Sequence, residues 1–283
     1  MKTKILFVAG IVTLSGMAIF TSCDNDNTVA EEELGTETIE LVKESSSTEM
    51  IEEETDASIN EAIAYSEQQS TTLKSATTAS ECATITMLPD DGTFPKTITI
   101  DFGDGCTGTR GLTRSGSISI TISDSLRNPG AEYSVTFDQY MIEGFAITGT
   151  RSVENTGTKD APSFTEETSL SLTTPGGIVI EKQKSVSREW IEGTDTYALS
   201  DDVFLLSGSA QVSSTAGRSY SYDIIEPLKV ARTCENILEG IIEITWSGKE
   251  EPVTIDYGDG ECDWKVYVSR ARRIIRRTVF LNN

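Results

Sequence analysis

The side chains that could carry out chemistry in this 283-residue chain are carboxylates and cysteines. The chain contains 45 Asp and Glu, five Cys and no His. Without an imidazole there is no Ser-His-Asp or Cys-His nucleophile and no His-ligated metal or haem. A hydrolase would therefore depend on paired carboxylates or on a metal ion. The net charge of -22 argues against nucleic acid as a partner, because such a surface repels phosphates.

Five carboxylates that lie close together in the sequence are the candidates for catalysis. They are Glu189, Glu192, Asp195, Asp201 and Asp202. Two carboxylates about 5 to 9 Å apart would suit glycoside hydrolysis. A solvated acidic loop is favoured instead, because no local signature joins these acids.

We expect a non-enzymatic binding or structural role, with glycan or surface polymer as the ligand. The alternative is a carboxylate-dependent or metal-dependent hydrolase that acts on glycans.

Aromatic and basic side chains supply candidate binding surfaces. A platform for sugar stacking could come from five aromatic residues, Trp190, Trp246, Trp264, Tyr220 and Tyr222. Packing in the core or between strands is the favoured alternative. Five arginines near the C-terminus could grip lipopolysaccharide phosphate or an acidic glycan. They are Arg270, Arg272, Arg273, Arg276 and Arg277. Pairing with acids, or protection of a sheet edge, is favoured for these.

A repeated motif precedes two of the cysteines. Residues 99–106 read TIDFGDGC and residues 254–262 read TIDYGDGEC. This predicts an internal duplication of one unit, 82–106 and 234–262. Each unit reads as two strands around a turn, so its first and last Cys would face each other across the open end of a hairpin. We therefore favour disulfides from Cys82 to Cys106 and from Cys234 to Cys262, with crossed pairings as the alternative.

The DFGDG and DYGDG segments resemble the signature of PKD domains, which are small β-sandwich modules of extracellular proteins. The favoured interpretation is turn chemistry, in which Gly supplies a positive φ and Asp caps its own turn. The alternative is a calcium site. Its ligands would come from four carboxylates, Asp101, Asp104, Asp256 and Asp259. We expect no other cofactor.

The elements that position these residues follow a targeting segment. Residues 1–22 carry two lysines, an apolar run from Ile5 to Phe20 and then Thr21 and Ser22 before Cys23. This pattern predicts a secretory signal peptide. The small residue before Cys23 resembles the lipobox of bacterial lipoproteins, which implies acylation of Cys23, including palmitate. Acyl chains would anchor the protein to a membrane, which would be its partner, without a transmembrane helix.

The residues that follow Cys23 indicate which face of the outer membrane would carry the protein. Asp24-Asn25-Asp26-Asn27 resembles the acidic signal that sends Bacteroidetes lipoproteins to the cell surface. We expect the outer membrane and its external face, with the periplasmic face as the alternative. The lipobox Cys, the acidic segment after it, residues 94–103 and residues 256–260 together resemble a family of exported Bacteroidetes lipoproteins. That resemblance implies an exported β protein and no particular activity.

Residues 23–80 are predicted to form an acidic tether. Between Asp24 and Glu67 there are 15 acids and one base. Like charges with few aromatics favour disorder, so we expect 24–48 to be unfolded. Ser46 and Glu49 could form a capping box ahead of a helix over 49–66. This helix would be either marginal or docked on the domain or on a partner.

Residues 81–283 are predicted to form an all-β domain. Alternation with period two, as in Thr97-Ile98-Thr99-Ile100, recurs in about a dozen runs separated by Gly, Asn, Asp and Pro. The connections are too short for helical crossovers, so the strands should form an antiparallel meander with one buried and one solvated face. Such a meander could close as a sandwich, a rolled sheet or a barrel.

Overall fold

The computed structural model describes residues 36–68, 82–108, 111–196, 199–234, 236–249, 251–263, 265–270 and 273–280. The predicted signal peptide, Cys23, Trp264 and Arg272 lie outside these residues. The statements below concern the described residues.

Fourteen strands in the described residues form one antiparallel sheet, which confirms the predicted β meander. They are β1 (Thr84–Leu88), β2 (Lys96–Asp101), β3 (Cys106–Thr107), β4 (Thr113–Ile122), β5 (Glu132–Ile142), β6 (Phe145–Asn155), β7 (Ser163–Thr173), β8 (Val179–Glu192), β9 (Val203–Ser214), β10 (Ser219–Ala231), β11 (Ile237–Trp246), β12 (Val253–Asp259), β13 (Lys265–Arg270) and β14 (Arg273–Phe280). Strands that follow one another in the chain pair along the sheet, except that β2 pairs with β4. The short β3 between them also pairs with β4. A 3-10 turn, Leu199–Asp201, precedes β9.

Alternation along the strands separates a buried face from a solvated one. On β4, Ile118, Ile120 and Ile122 are buried, whereas Thr121 between them is exposed. The register between β7 and β8 runs without a shift over eleven residue pairs, from Ser163↔Glu189 to Thr173↔Val179. A one-residue slip would turn the buried set to solvent, so burial of one face fixes this register.

One α-helix, α1 (Thr36–Gln68), packs on the buried face of the sheet. It contains the predicted helix 49–66 and settles that this helix is docked on the domain. The prediction of a disordered tether is wrong for 36–48: this part is helical, and Leu41 and Val42 are fully buried. Tertiary contacts stabilise the segment despite its charge. None of the described helices is both long and apolar enough to cross a membrane.

The sheet wraps around α1, so it is a rolled sheet rather than a pair of stacked sheets. Glu54 and Asp56 lie two positions apart and therefore project about 200° apart around the helix axis. Both are buried and both pair with the sheet: Glu54 with Arg114 on β4, and Asp56 with Arg188 on β8. A flat sheet could not reach both sides of one helix turn.

Two disulfides close the hairpins as predicted. Cys82 is bonded to Cys106 and Cys234 to Cys262, with Cα atoms 5.7 Å apart in both. The first bond joins the open end of the β1–β2 hairpin, in which Thr84 pairs with Asp101. The second flanks the β11–β12 hairpin in the same way. Both units of the repeated sequence therefore form the same disulfide-closed hairpin.

Candidate binding pocket and the buried charges beside it

The buried face of the sheet carries a row of cations that the acidic helix neutralises. On β8, Lys182, Lys184 and Arg188 alternate with exposed residues and point inward. The ammonium of Lys182 lies 2.7 Å from one carboxylate oxygen of Glu52, and that of Lys184 lies 2.9 Å from the other. Neither Glu52 oxygen meets hydrogen-bond geometry with a described residue, so the contacts are ion pairs.

The network extends to both sides of β8. Arg188 lies 3.2 Å from Glu53 and 3.1 Å from Asp56 on the helix. Glu166 on β7 accepts the Arg151 Nε contact at 3.3 Å and the Lys184 contact at 3.2 Å. These side chains are almost fully buried, so each depends on its partners to remain charged.

The network holds its carboxyl groups ionised. Burial alone would raise the pKa of Glu52, but Lys182, Lys184 and Arg151 outweigh burial and lower it to about 2. The same balance, with Arg151 as the first cation, lowers the pKa of Glu166. The pKa of Lys184 is raised, because Glu166 and Glu52 outweigh the effect of its burial. These groups therefore form a stable charged layer and are not poised to exchange protons near neutral pH.

A pocket of about 80 Å³ lies at the end of this layer, between the C-terminal half of α1 and strands β5 to β9. We call it the Trp190 pocket. Its apolar wall is formed by Ile63, Leu126, Val153, Phe164, Trp190 and Phe204. Its polar groups include Asp56, Arg127, Glu166, Arg188, Asp202 and Arg232. The rings of Trp190 and Phe204 stack with centroids 5.7 Å apart. Such concave, mostly apolar sites with a few polar groups are typical of ligand pockets.

Asp202 is the unusual acid of this pocket. It is 3 % exposed, and burial raises its pKa to about 6, although Arg232 opposes the rise. The nearby indole N–H of Trp190 also opposes the rise in the pKa of Asp202. The guanidinium of Arg127 lies over the Trp190 ring and donates hydrogen bonds to the carbonyls of Thr194 and Thr196.

Arg232 is the unusual base of the pocket. No acidic side chain of the described residues forms an ion pair with it, and its buried Nε–H has no acceptor there. Its guanidinium lies 5.7 Å from the centre of the Phe204 ring, and that of Arg188 lies 5.4 Å from the same ring. Burial lowers the pKa of Arg232 to about 10, and Arg188 lowers it further in the same direction. The Nε–H of Arg232 is therefore a buried hydrogen-bond donor without an acceptor among the described residues.

A second cavity of about 50 Å³ lies next to the Trp190 pocket. It borders the middle of α1, including Met50 and Ala57, and strands β10 to β13. Arg232 lines both cavities and therefore stands between them.

The structure places the predicted acids apart. Of the five, only Asp202 lines the Trp190 pocket. Glu189, Glu192 and Asp195 are exposed, and exposed Asp201 accepts hydrogen bonds from the Thr196 hydroxyl. Three other acids line the pocket. Asp56 and Glu166 form ion pairs with Arg188 or Lys184. Glu67 accepts hydrogen bonds from the Ser125 hydroxyl and the Leu126 N–H. The predicted acidic cluster therefore does not converge on one cleft.

The predicted aromatic platform is divided in the same way. Tyr220 and Tyr222 are buried, and the Tyr222 hydroxyl donates a 2.6 Å hydrogen bond to Glu49. Trp190 is half-buried in the pocket, whereas half-buried Trp246 contacts Lys249 and Arg270 elsewhere. Core packing, the favoured interpretation, fits the tyrosines.

The C-terminal arginines lie on or near the last two strands. Arg270 ends β13, and its guanidinium lies 5.8 Å from the centre of the Trp246 ring. Arg273, Arg276 and Arg277 belong to β14, the last strand of the sheet path.

In both copies of the repeated motif the Asp side chain caps the backbone two residues ahead, as the favoured interpretation predicts. The first copy forms a turn at Gly103 and Asp104, whereas Gly258 lies inside β12, at a shift of its register against β11. The Asp101 carboxylate accepts a 2.8 Å hydrogen bond from Gly103 N–H, and Asp256 accepts one of 2.9 Å from Gly258 N–H. Gly103 and Gly258 have φ of 59° and 99°, which side chains disfavour. The described residues contain no group of three or more His, Cys, Asp or Glu side chains that could hold a metal ion, and Asp104 and Asp259 belong to no such group.

The residues that sequence reasoning missed are the inward cations and Arg232. A signal for the cations was present: Ile180 and Val186 share their alternation with Lys182, Lys184 and Arg188. The residues in register with a buried isoleucine face inward whatever their charge. Arg232 lies just beyond β10, and no local pattern distinguishes it.

Comparison with known proteins gives no match: no family model, curated protein or solved structure is significantly similar to this chain. The resemblances to PKD domains and to Bacteroidetes lipoproteins therefore stay predictions.

Proposed function

We propose that this protein is an exported, lipid-anchored cell-envelope protein whose folded part binds a ligand in the Trp190 pocket. The observation that carries the binding role is the meeting of stacked aromatic rings with the unpaired Arg232 in a pocket between sheet and helix. Disulfides and buried ion pairs make this frame stiff, which limits the entropy lost when a ligand binds. Envelope glycans and their component sugars are the first ligands to test.

Filling the pocket tests the binding role. Ala64 lines the Trp190 pocket from the half-exposed side of α1, so Ala64→Trp should occupy it. Ala57 lies on the same helix but lines the second cavity, so Ala57→Trp is the matched control. The mature chain would be screened on a glycan array and against a small-metabolite library. We expect at least one ligand whose affinity falls tenfold or more in Ala64→Trp and changes less than twofold in Ala57→Trp. If Ala64→Trp blocks no ligand, the binding role is wrong.

The anchor has a separate test. Cys23→Ala should abolish acyl labelling and release the protein from membranes, whereas Ser22→Ala keeps a small residue before Cys23 and should do neither. Acyl labelling that persists without Cys23 would contradict the lipoprotein assignment. Protease added to intact cells then distinguishes the two faces of the outer membrane, because only a surface-exposed chain is cleaved.

A hydrolase is the second candidate, and Asp202 is the observation that favours it. A buried carboxyl with a pKa of about 6 could donate a proton to a glycosidic oxygen. Binding is preferred because the three other acids that line the pocket are already engaged. Cations hold Asp56 and Glu166, and Glu67 accepts hydrogen bonds from the Ser125 hydroxyl and the Leu126 N–H. Turnover of any glycan that is lost in Asp202→Asn would reverse this preference.

A further inference from the structure

We infer that the Trp190 pocket takes a small monoanion, namely a carboxylate attached to an apolar chain or ring, and that Arg232 is the group that binds its charge. This inference rests on the proposed binding function and names the ligand class.

The unsatisfied Nε–H and the unpaired charge of Arg232 point to an anion. Its guanidinium lines the pocket, and no acid of the described residues pairs with it. In contrast, Arg188 at the same ring is already held by Glu53 and Asp56. A guanidinium presents parallel N–H donors that match the two oxygens of a carboxylate. Because the Phe204 ring lies beside this guanidinium, its N–H donors are held in position before the ligand binds.

The other charges of the pocket limit the ligand to one negative charge. Asp202 and Glu166 line the same space, and both are buried. A dianion such as phosphate would place a second negative charge near these acids, and Arg188, the cation beside the same Phe204 ring, is already paired with Glu53 and Asp56. Uncompensated charge is costly in a poorly solvated site. A carboxylate satisfies Arg232 without this repulsion.

The walls and the size of the pocket define the rest of the ligand. Phe164, Leu126 and Trp190 supply apolar surface to the same space that Arg232 lines. A volume of 80 Å³ exceeds what one water needs several-fold. It is about half of the roughly 150 Å³ of an engineered cavity that binds benzene, so the pocket encloses a short hydrocarbon chain or part of one aromatic ring. A sugar ring fits less well, because its hydroxyls would each need a partner.

The test compares charged and neutral ligands on the mature chain carrying Cys23→Ala. Isothermal titration would measure benzoate, hexanoate, benzamide, galacturonate and inorganic phosphate. We expect saturable binding of benzoate and hexanoate, and at least tenfold weaker binding of benzamide, galacturonate and phosphate. Arg232→Gln should weaken benzoate binding at least tenfold. Arg270→Gln is the matched control. Arg270 also lies beside an aromatic ring and has a buried Nε–H without an acceptor among the described residues, but it does not line the pocket. The control variant should change the affinity less than twofold.

Several outcomes would overturn the inference. They are no binding of benzoate or hexanoate, equal binding of benzamide and benzoate, or unchanged affinity in a folded Arg232→Gln variant. If that variant does not fold, the comparison of benzoate with benzamide on the Arg232 protein decides. Tighter binding of galacturonate than of benzoate would contradict the inference that the carboxylate is attached to an apolar chain or ring. A ligand blocked by Ala64→Trp but indifferent to Arg232→Gln would end this inference and leave the proposed binding function intact.

Discussion

Single buried charges on the inner face depend on one another. Lys182 and Lys184 share the two oxygens of Glu52, and all three are almost completely excluded from water. Replacing a buried pair with apolar groups can be harmless, but removing one partner leaves an uncompensated charge. Individual residues in this layer therefore have a large effect on the free energy of unfolding.

Removing the Glu52 charge should expose this dependence. Glu52→Gln keeps the shape of the side chain and leaves two buried ammonium groups undercompensated, so we expect a loss of about 3–5 kcal/mol in the free energy of unfolding. Denaturant titration would measure it. Glu40→Gln is the control, because Glu40 also pairs with an arginine but its side chain is 58 % exposed, so its loss should stay below about 1 kcal/mol. Equal losses would show that the Glu52 pairs are no stronger than surface pairs.

Asp202 should affect stability in the opposite direction. Its pKa is about 6 in the folded protein against an ordinary 3.8, so the folded state holds this proton more tightly than the unfolded chain does. The resulting stabilisation is present at low pH and is lost as the pH rises from 3.8 through 6. Asp202→Asn mimics the protonated group and should stabilise the protein at pH 7.5 by about 1 kcal/mol, allowing for solvent screening.

The measurement for Asp202→Asn is its melting temperature relative to the unsubstituted chain at pH 7.5 and at pH 4. The advantage of the variant should shrink at pH 4. Asp201→Asn, next to it on the exposed side of the turn, controls for the loss of a charge at this place. A variant that is less stable at pH 7.5 would show that the Asp202 carboxylate is a stabilising anion.

Among the elements, α1 differs most from its prediction. Its first thirteen residues lie in the segment expected to be disordered, yet Val42 is 0 % exposed. A helix of this composition is weak by itself, so the sheet must supply its stability. The disulfide-closed hairpins, in contrast, follow from the local sequence of each repeated unit.

A charge placed at Val42 distinguishes a packed helix from a tether. Val42→Asp would bury an unpaired carboxylate and remove apolar contacts, so the free energy of unfolding should fall by about 3 kcal/mol or more. Thr36→Asp makes the same kind of change at the exposed start of the helix, where a negative charge is favourable, and should be neutral or slightly stabilising. Thermal melting of both variants tests this. If Val42→Asp left the melting temperature unchanged, residues 36–48 would not pack on the sheet in solution.

For the whole molecule, the buried layer predicts sensitivity to acid. The lowered pKa values of Glu52 and Glu166 mean that the folded state holds these protons less tightly than the unfolded chain does. Their stabilisation is complete above the ordinary carboxyl pKa of 4.5 and is lost as the pH falls toward 2.

Denaturant midpoints measured from pH 7 to pH 2 in Asp202→Asn, which lacks the opposing titration of Asp202, should therefore stay nearly level above pH 5 and then fall steeply. The drop should be shallower in Glu52→Gln, which has already lost one of the responsible groups. A midpoint that is constant down to pH 2 would contradict the assignment of these ion pairs.

The sequence by itself determined the strands and their antiparallel order, and it favoured the two disulfides that the structure contains over crossed pairings. These features depend on residues close in sequence: alternation is visible within a few residues, and each Cys pair closes its own hairpin, with partners 24 and 28 positions apart. Turn chemistry at Asp101 and Asp256 is local in the same way.

Only the tertiary structure decided the role of the acidic segment, the closure of the sheet and the pocket. Glu49 forms its ion pair with Lys182, 133 residues away, so a local count of charges around 24–67 sees repulsion where the fold supplies cations. Asp202 and Arg232 acquire their shifted pKa values from burial beneath a helix that precedes them by more than 130 residues. Local patterns record which face of a strand is buried, whereas charge compensation and cavities arise only when distant segments meet.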